Sequence, residues 1–247
     1  MKLTVLGYYG GYPANGAGTS SYLIESDGFH LLLDAGSGSL LALEKYVDPI
    51  DLNAVLLSHY HHDHTADLGV LQFARLLKKD VHGNKPHLMP VYCHDEDPDN
   101  YDRMTLDNVT QAIAYNEEPE LTIGPFRIEH MKTLHPVPCF AFRITEVKTD
   151  RTLVFTADSG YMEGFISFAE NADLLLADSN FYKGMENHTV HMTAKECGRI
   201  AREANVKKLV LTHLPQTGKL SQLIDEALEE VPGIDVKLAE KDLTLTI

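Results

Sequence analysis

Four histidines and an aspartate fall within the six positions His59-Tyr60-His61-His62-Asp63-His64, directly after the apolar run Ala54-Val55-Leu56-Leu57. A polar ending to a buried strand is costly unless something binds it. Side chains alternate on extended backbone, so His59 and His61 point the same way. Asp63 and His64 follow where the chain should turn, and so can serve a neighbouring point in space. Neutral imidazoles with a carboxylate form a borderline donor set that suits zinc and also manganese or iron. The bland alternative is a solvated loop that happens to be rich in histidine, but ligand chemistry, strand context and spacing agree against it.

Three more polar groups end strand-like sequence. His135 comes shortly after Ile128 to Met131, Asp158 follows Leu153-Val154-Phe155-Thr156-Ala157, and His213 follows Leu209-Val210-Leu211-Thr212. Polar strand ends meeting at one sheet edge are how scattered residues form one site. Taken singly, each has a structural alternative: Asp158 as a turn residue, His135 and His213 as satisfied buried histidines.

The elements that must position these groups read as follows. Strands are expected at Lys2 to Leu6, at Ser20 to Glu25 and Phe29 to Leu33 around the Asp27-Gly28 hairpin signal, and at Ala54 to Leu57. Helices are expected from Leu40 to Tyr46 and from about Ala66 to Lys79, the latter from Leu68, Leu71 and Leu76 at helical intervals. Val91 to Cys93 reads as a strand, Asp95 to Asn100 as a solvated acidic loop, and Thr105 to Asn116 as a helix. Strands return at Leu121 to Ile123, Phe126 to Met131, Phe140 to Val147 and Thr152 to Phe155. A helix near Glu163 to Glu170 precedes a strand over Asp173 to Leu176, and Thr193-Ala194-Lys195-Glu196 is a capping box opening a helix to about Asn205. A strand at Val206 to Leu211, a helix at Leu220 to Glu229 and strands at Val236 to Leu238 and Leu243 to Ile247 follow. The recurrence of strands, a polar strand end and a helix in each half predicts an α/β fold with two mixed sheets, one domain over residues 1–247 made of two related halves.

Composition narrows the substrate. Thirty-six acidic residues against 21 basic ones leave a formal charge of −15. A protein that grips a long phosphate backbone usually presents a basic surface, so a bulky nucleic acid is disfavoured. Cys93, Cys139 and Cys197 show no CxxC spacing and read as free thiols of a reducing compartment. A strand begins at once at the N-terminus and no apolar run reaches transmembrane length, so a cytoplasmic protein with no membrane partner is expected.

The motif His59-x-His61-x-Asp63-His64, with His135, Asp158 and His213, resembles that of the metallo-β-lactamase superfamily. The opening Lys2-Leu3-Thr4-Val5-Leu6-Gly7, the Asp34-Ala35-Gly36 turn and Lys207-Lys208-Leu209-Val210-Leu211-Thr212-His213 are similar to the ribonuclease Z branch, which includes small cyclic phosphodiesterases. The resemblance spans nearly the whole chain. It implies a four-layer αββα sandwich of two mixed sheets. It also implies two divalent metal ions, zinc foremost with manganese or iron as alternatives: His59, His61 and His135 on one, Asp63, His64 and His213 on the other, Asp158 bridging. Two adjacent metals can lower the pKa of a shared water and stabilise charge on attacking and leaving oxygens, which makes hydrolysis the default chemistry. Asp34 is open to two readings, orienting a ligand histidine or shaping the turn.

His191 lies two residues before Thr193, beside a helix N-terminus. By position it resembles the ribonuclease Z histidine associated with leaving-group protonation, with Asp178 in place of the family's usual glutamate. Asp63, His191 and Asp178 are thus the catalytic candidates; capping its own helix is the structural alternative for His191, and His188 is its weaker competitor. His82, His87, His94 and Cys93 are neighbours without an assigned role. The family arm that holds precursor tRNA is inserted between the positions of His135 and Asp158, where only 22 residues stand here. Ala14-Asn15-Gly16-Ala17-Gly18 lacks the basic residues of the family's early substrate loop, and Leu214-Pro215-Gln216-Thr217 departs from the usual continuation. A tRNA 3′ endonuclease is therefore disfavoured. The expectation is a phosphodiesterase acting on a small phosphodiester, a cyclic nucleotide or short oligonucleotide, with a homodimer implied by the resemblance. The alternatives are a lactone or thioester hydrolase, and a non-enzymatic metal-binding sensor or scaffold.

Overall fold

A computed structural model describes residues 1–115 and 119–247. In chain order, β1 (Lys2–Tyr9), β2 (Gly18–Thr19), β3 (Ser21–Ser26) and β4 (Phe29–Leu33) are followed by α1 (Ser39–Leu43) and β5 (Ala54–Leu56). Then come α2 (His62–Thr65), α3 (Leu68–Leu77), β6 (Met89–Cys93), α4 (Pro98–Arg103) and β7 (Thr110–Ala114). The next group is β8 (Glu120–Ile123), β9 (Phe126–Lys132), β10 (Phe140–Glu146), β11 (Arg151–Phe155) and α5 (Gly164–Phe168). β12 (Leu174–Asp178), α6 (Ala194–Glu203), β13 (Lys208–Thr212), α7 (Ser221–Glu230), β14 (Asp235–Leu238) and β15 (Thr244–Thr246) complete the chain.

Two compact units emerge. The first comprises Met1–Gly7, Gly11–Pro119 and Lys241–Thr246; the second comprises Tyr8–Gly10, Glu120–Glu240 and Ile247. The sheet of the first unit runs β15-β1-β3-β4-β5-β6-β7, with β2 beside β1. It is antiparallel as far as β4 and parallel from β4 to β7. The sheet of the second runs β14-β13-β12-β11-β10-β9-β8, antiparallel from β8 to β11 and parallel from β11 to β14. Both sheets thus change from antiparallel to parallel pairing partway across, and the two mixed sheets expected from the sequence are present.

Local chemistry explains the better-defined pieces. Asp27 and Gly28 hold φ values of 48° and 80°, the two left-handed positions of a type I′ turn, and set Ser26 opposite Phe29. The Leu174–Asp178 strand is buried throughout, as expected of a central parallel strand. Thr193 and Glu196 form the reciprocal capping box that starts α6.

Two local expectations need correcting. Within Thr105 to Asn116, residues Thr110–Ala114 form β7, paired in parallel with β6; Asn116 lies outside the described residues. The alanines favour helix intrinsically, but the free edge of β6 satisfies this backbone instead. The acidic stretch is not all loop: Asp97 accepts from the Asn100 amide and Pro98 begins α4. An Asp cap followed by proline in the first helical position was a legible start signal. The helix expected from Leu68, Leu71 and Leu76 is present as α3, with Leu68 and Leu71 buried and Leu76 exposed.

Candidate functional site

In the first unit, the groups of interest sit where β4 and β5 end. Asp34 follows β4 with φ of 55°, a left-handed conformation uncommon outside glycine, and is fully buried. Its carboxylate accepts from the Ser58 amide at 2.8 Å, from Ser58 Oγ at 2.9 Å and from His64 Nδ1 at 2.7 Å. A carboxylate only accepts, so Nδ1 of His64 carries its proton and Nε2 presents a lone pair, 3.6 Å from Asp63 Oδ2. Ser58 Oγ spends its one hydrogen on Asp34 and so accepts from His59 Nδ1 at 3.0 Å. That leaves His59 Nε2 facing His61 Nδ1 at 3.1 Å. His61 directly precedes the single turn of α2, which carries Asp63 and His64. Asp63 Oδ2 accepts from the Gly11 amide at 2.7 Å.

Close packing makes that turn possible. A Cβ on Gly36 would stand 2.2 Å from the Asp63 carbonyl oxygen and 2.4 Å from Thr19 Oγ1. His62 points to solvent. His82 and His87 are exposed before β6, whereas Cys93 and His94 are buried at its end, where the Tyr60 hydroxyl donates to the His94 carbonyl.

In the second unit the same logic recurs at the ends of β9, β11, β12 and β13. His135 Nδ1 donates to the Val190 carbonyl at 3.2 Å, so its Nε2 lone pair faces Asp158 Oδ2 at 3.9 Å. His213 Nε2 lies 3.3 Å from the same Oδ2, and its Nδ1 lies 3.5 Å from Asp178 Oδ1. Ala157 and His213 both hold left-handed backbone, with φ of 52°. The His213 ring fits because residue 10 is glycine: a Cβ there would come within 2.6 Å of Nδ1 and 2.5 Å of Asn180 Nδ2.

Asp178 and His191 are joined directly. His191 Nδ1 donates to Asp178 Oδ2 at 2.8 Å, and the Ser159 amide donates to the same oxygen at 3.1 Å. Burial alone would lower the His191 pKa, but the Asp178 charge and hydrogen bond overcome it and raise the value above the ordinary one. Burial alone would likewise raise the pKa of Asp178, but His191 first, then His213, hold it below the usual carboxylate range. The His191 ring lies beside those of His135 and His213, at centroid distances of 5.8 and 4.9 Å. His188 turns away against Phe181 and takes the Val190 amide on Nδ1. Asp158, Asp178, His191 and His213 offer ligand atoms within 4.8 Å of one another.

These donors fit divalent cations. Tetrahedral ligands at about 2.0–2.1 Å from a zinc ion stand roughly 3.4 Å apart. The pairs within each unit bracket that value: 3.1 Å for His59–His61, 3.6 Å for Asp63–His64, 3.3 Å for Asp158–His213 and 3.9 Å for His135–Asp158. His64 and His135 also spend Nδ1 on an outer acceptor and present Nε2, the usual posture of a metal-ligating histidine. Asp34 orients a ligand histidine, one of the two readings open from the sequence, whereas the Ser58 hydroxyl, the Val190 carbonyl and the small size of Gly10 were not assigned this work. Only the Asp34 turn and the glycines near the N-terminus carried a signal.

Residues 30–214, most of the chain, match the family model described as a beta-lactamase superfamily domain, and the chain belongs to that family. The probable metallo-hydrolase YhfI of Bacillus subtilis is 46% identical over 228 residues, covering 92% of each chain. The crystal structure of that metallo-β-lactamase fold protein aligns with 99% of both chains at a TM-score of 0.92 and 44% identity. The short form of human tRNase Z aligns at a TM-score of 0.77 and 21% identity, over 100% of this chain and 99% of its own. A diphosphatase of the PhnP family aligns at 0.76 and 17% identity, over 100% and 97%. The last two likenesses show the fold alone. The fold is therefore the metallo-β-lactamase fold of the α/β class. Among the described residues, no helix is long and apolar enough to cross a membrane.

Proposed function

We propose that this chain is a metal-dependent hydrolase that cleaves a small phosphodiester, such as a cyclic nucleotide or a short oligonucleotide. In this reading His59, His61 and His135 hold one divalent cation, Asp63, His64 and His213 hold a second, and Asp158 serves both, with zinc as the resident metal. The observation that carries it is the aim of a single oxygen: Asp158 Oδ2 faces Nε2 of His135 and Nε2 of His213. Bound there, the pair of cations supplies an acidified water and offsets charge on the attacking and leaving oxygens.

The protein's own groups account for the rest. Asp178 holds His191 in one tautomer and favours its protonated form, so Nε2 is the atom that delivers a proton to the leaving oxygen. A phosphodiester expels an alkoxide, which leaves poorly without that proton; a thioester, whose thiolate leaves readily, needs it far less. The formal charge of −15 and the 22 residues separating His135 from Asp158 support a compact substrate rather than a long nucleic acid.

Metal analysis combined with hydrolysis of bis-p-nitrophenyl phosphate, a lactone and a thioester tests the reading. Two metal equivalents per chain and metal-dependent phosphodiester cleavage are expected. Cleavage of the lactone or thioester with an inert phosphodiester would overturn the substrate class. Tight metal binding without turnover of any of the three would make the chain a sensor or scaffold.

A further inference from the structure

The segment that follows β13 closes around Gly10. The Leu214 amide donates to the Tyr8 carbonyl at 2.8 Å, and the Gly10 amide donates to the Leu214 carbonyl at 3.1 Å. The Gly10 carbonyl accepts from the side-chain amide of half-buried Gln216. Both backbone groups of Gly10 are therefore held by residues 214–216, which come directly after His213. Asn180 completes the enclosure. Its Nδ2 donates to the His213 carbonyl at 2.8 Å and lies 2.5 Å from the place a Gly10 Cβ would take.

We infer that Gln216 is a positioning residue for the cation assigned to Asp63, His64 and His213, acting through the peptide group that joins Gly10 to Gly11. The inference rests on the two-cation reading proposed above. A peptide group is planar, so its carbonyl and its amide hydrogen point to opposite sides and turn as one body. In this one the oxygen takes the Gln216 hydrogen, while the nitrogen donates to Asp63 Oδ2 at 2.7 Å. The bond from the Gly10 amide to Leu214 fixes the preceding plane. Rotation about Gly10 ψ and Gly11 φ stays open, because glycine on both sides removes most steric limits and Gly11 stands at φ 71°. Gln216 closes that freedom from outside. A carbonyl that accepts a hydrogen bond also polarises its peptide, which strengthens the Gly11 amide as a donor to Asp63. The same contact keeps Gly10 against the His213 ring, so one side chain restrains two ligands of one cation.

Gln216→Leu keeps the bulk and removes the donor; Gln216→Asn keeps the amide and shortens its reach. Titration of the full chain with zinc against a chromogenic chelator is expected to show two equivalents in the wild type. In both variants one equivalent should weaken about 10–100-fold, the range for loss of an outer partner, while the other changes less than about threefold. Amide hydrogen exchange at Gly11, followed by NMR, should be at least about tenfold faster in the variants, with the thermal melt retained. Fewer than two equivalents in the wild type would refute the two-cation reading and this inference with it. Two equivalents in the wild type and unchanged affinities in the variants overturn the inference alone. Equal weakening of both equivalents with a lowered melt also overturns it, since Gln216 would then only fasten its loop.

Discussion

The Nδ1 atom of His64 lies 2.7 Å from Oδ2 of Asp34, with both side chains sealed from solvent. Asp34 also holds the amide and hydroxyl of Ser58, and Ser58 in turn holds His59. One carboxylate thus orients two candidate ligands. Asp34→Asn is expected to weaken metal affinity about 10–100-fold, the cost typical of losing an outer partner of a ligating histidine. Competition with a chromogenic chelator measures it. Unchanged affinity would mean that Asp34 only shapes its turn.

Removal of metal should abolish turnover, and added zinc or manganese should restore it. Asp158→Ala should lower both metal content and activity, since one oxygen of this side chain faces two candidate ligands. Elemental analysis of the purified variant beside its rate decides the matter. Full activity after exhaustive chelation would refute a metal-dependent hydrolase.

His191→Ala should keep the metal content and lower kcat about 10²–10⁴-fold on esters with poor leaving groups, the range for loss of a general acid. An ester with a p-nitrophenolate leaving group needs less help and should be less affected. Equal losses on both substrates would assign His191 a structural role beside Asp178.

Gly10→Ala should displace the His213 ring, because the new methyl would meet Nδ1 at 2.6 Å. The expected phenotype is reduced metal content in a folded chain, read by circular dichroism beside elemental analysis. A normal metal complement would show that the Gly10 backbone yields instead.

Asp173 offers a check on acid stability. Burial would raise its pKa, but Lys207, the Thr152 amide and Arg151 hold it below the ordinary carboxylate value. A depressed folded pKa stabilises the protein above the unfolded value, near 3.9, and that stability is lost as pH falls through the folded pKa. Both cations stand about half exposed or more, which limits the gain. Asp173→Asn should cost about 1 kcal/mol in urea unfolding at pH 7, with the difference shrinking below about pH 4. A constant difference across that range would remove the ionic contribution.

Legibility followed the range of the interaction involved. Strands such as Phe29–Leu33 and Phe140–Glu146 were readable because alternation, apolar runs and turn residues act within a few positions. The Thr193–Glu196 box was readable for the same reason. β7 was not, because its alanines favour helix and only the edge of β6 makes it a strand.

The sequence by itself determined the inventory of donors: histidines and aspartates following apolar runs, types and spacings that survive in any conformation of the chain. Tertiary structure decided which nitrogen each ring presents. His64 is set by Asp34, His135 by the Val190 carbonyl and His191 by Asp178, partners 30, 55 and 13 positions away. A tautomer is selected by whichever acceptor stands beside the ring in space, and no local spacing encodes that neighbour. The sequence marks the donors after Ser58; the folded chain determines the direction in which they donate.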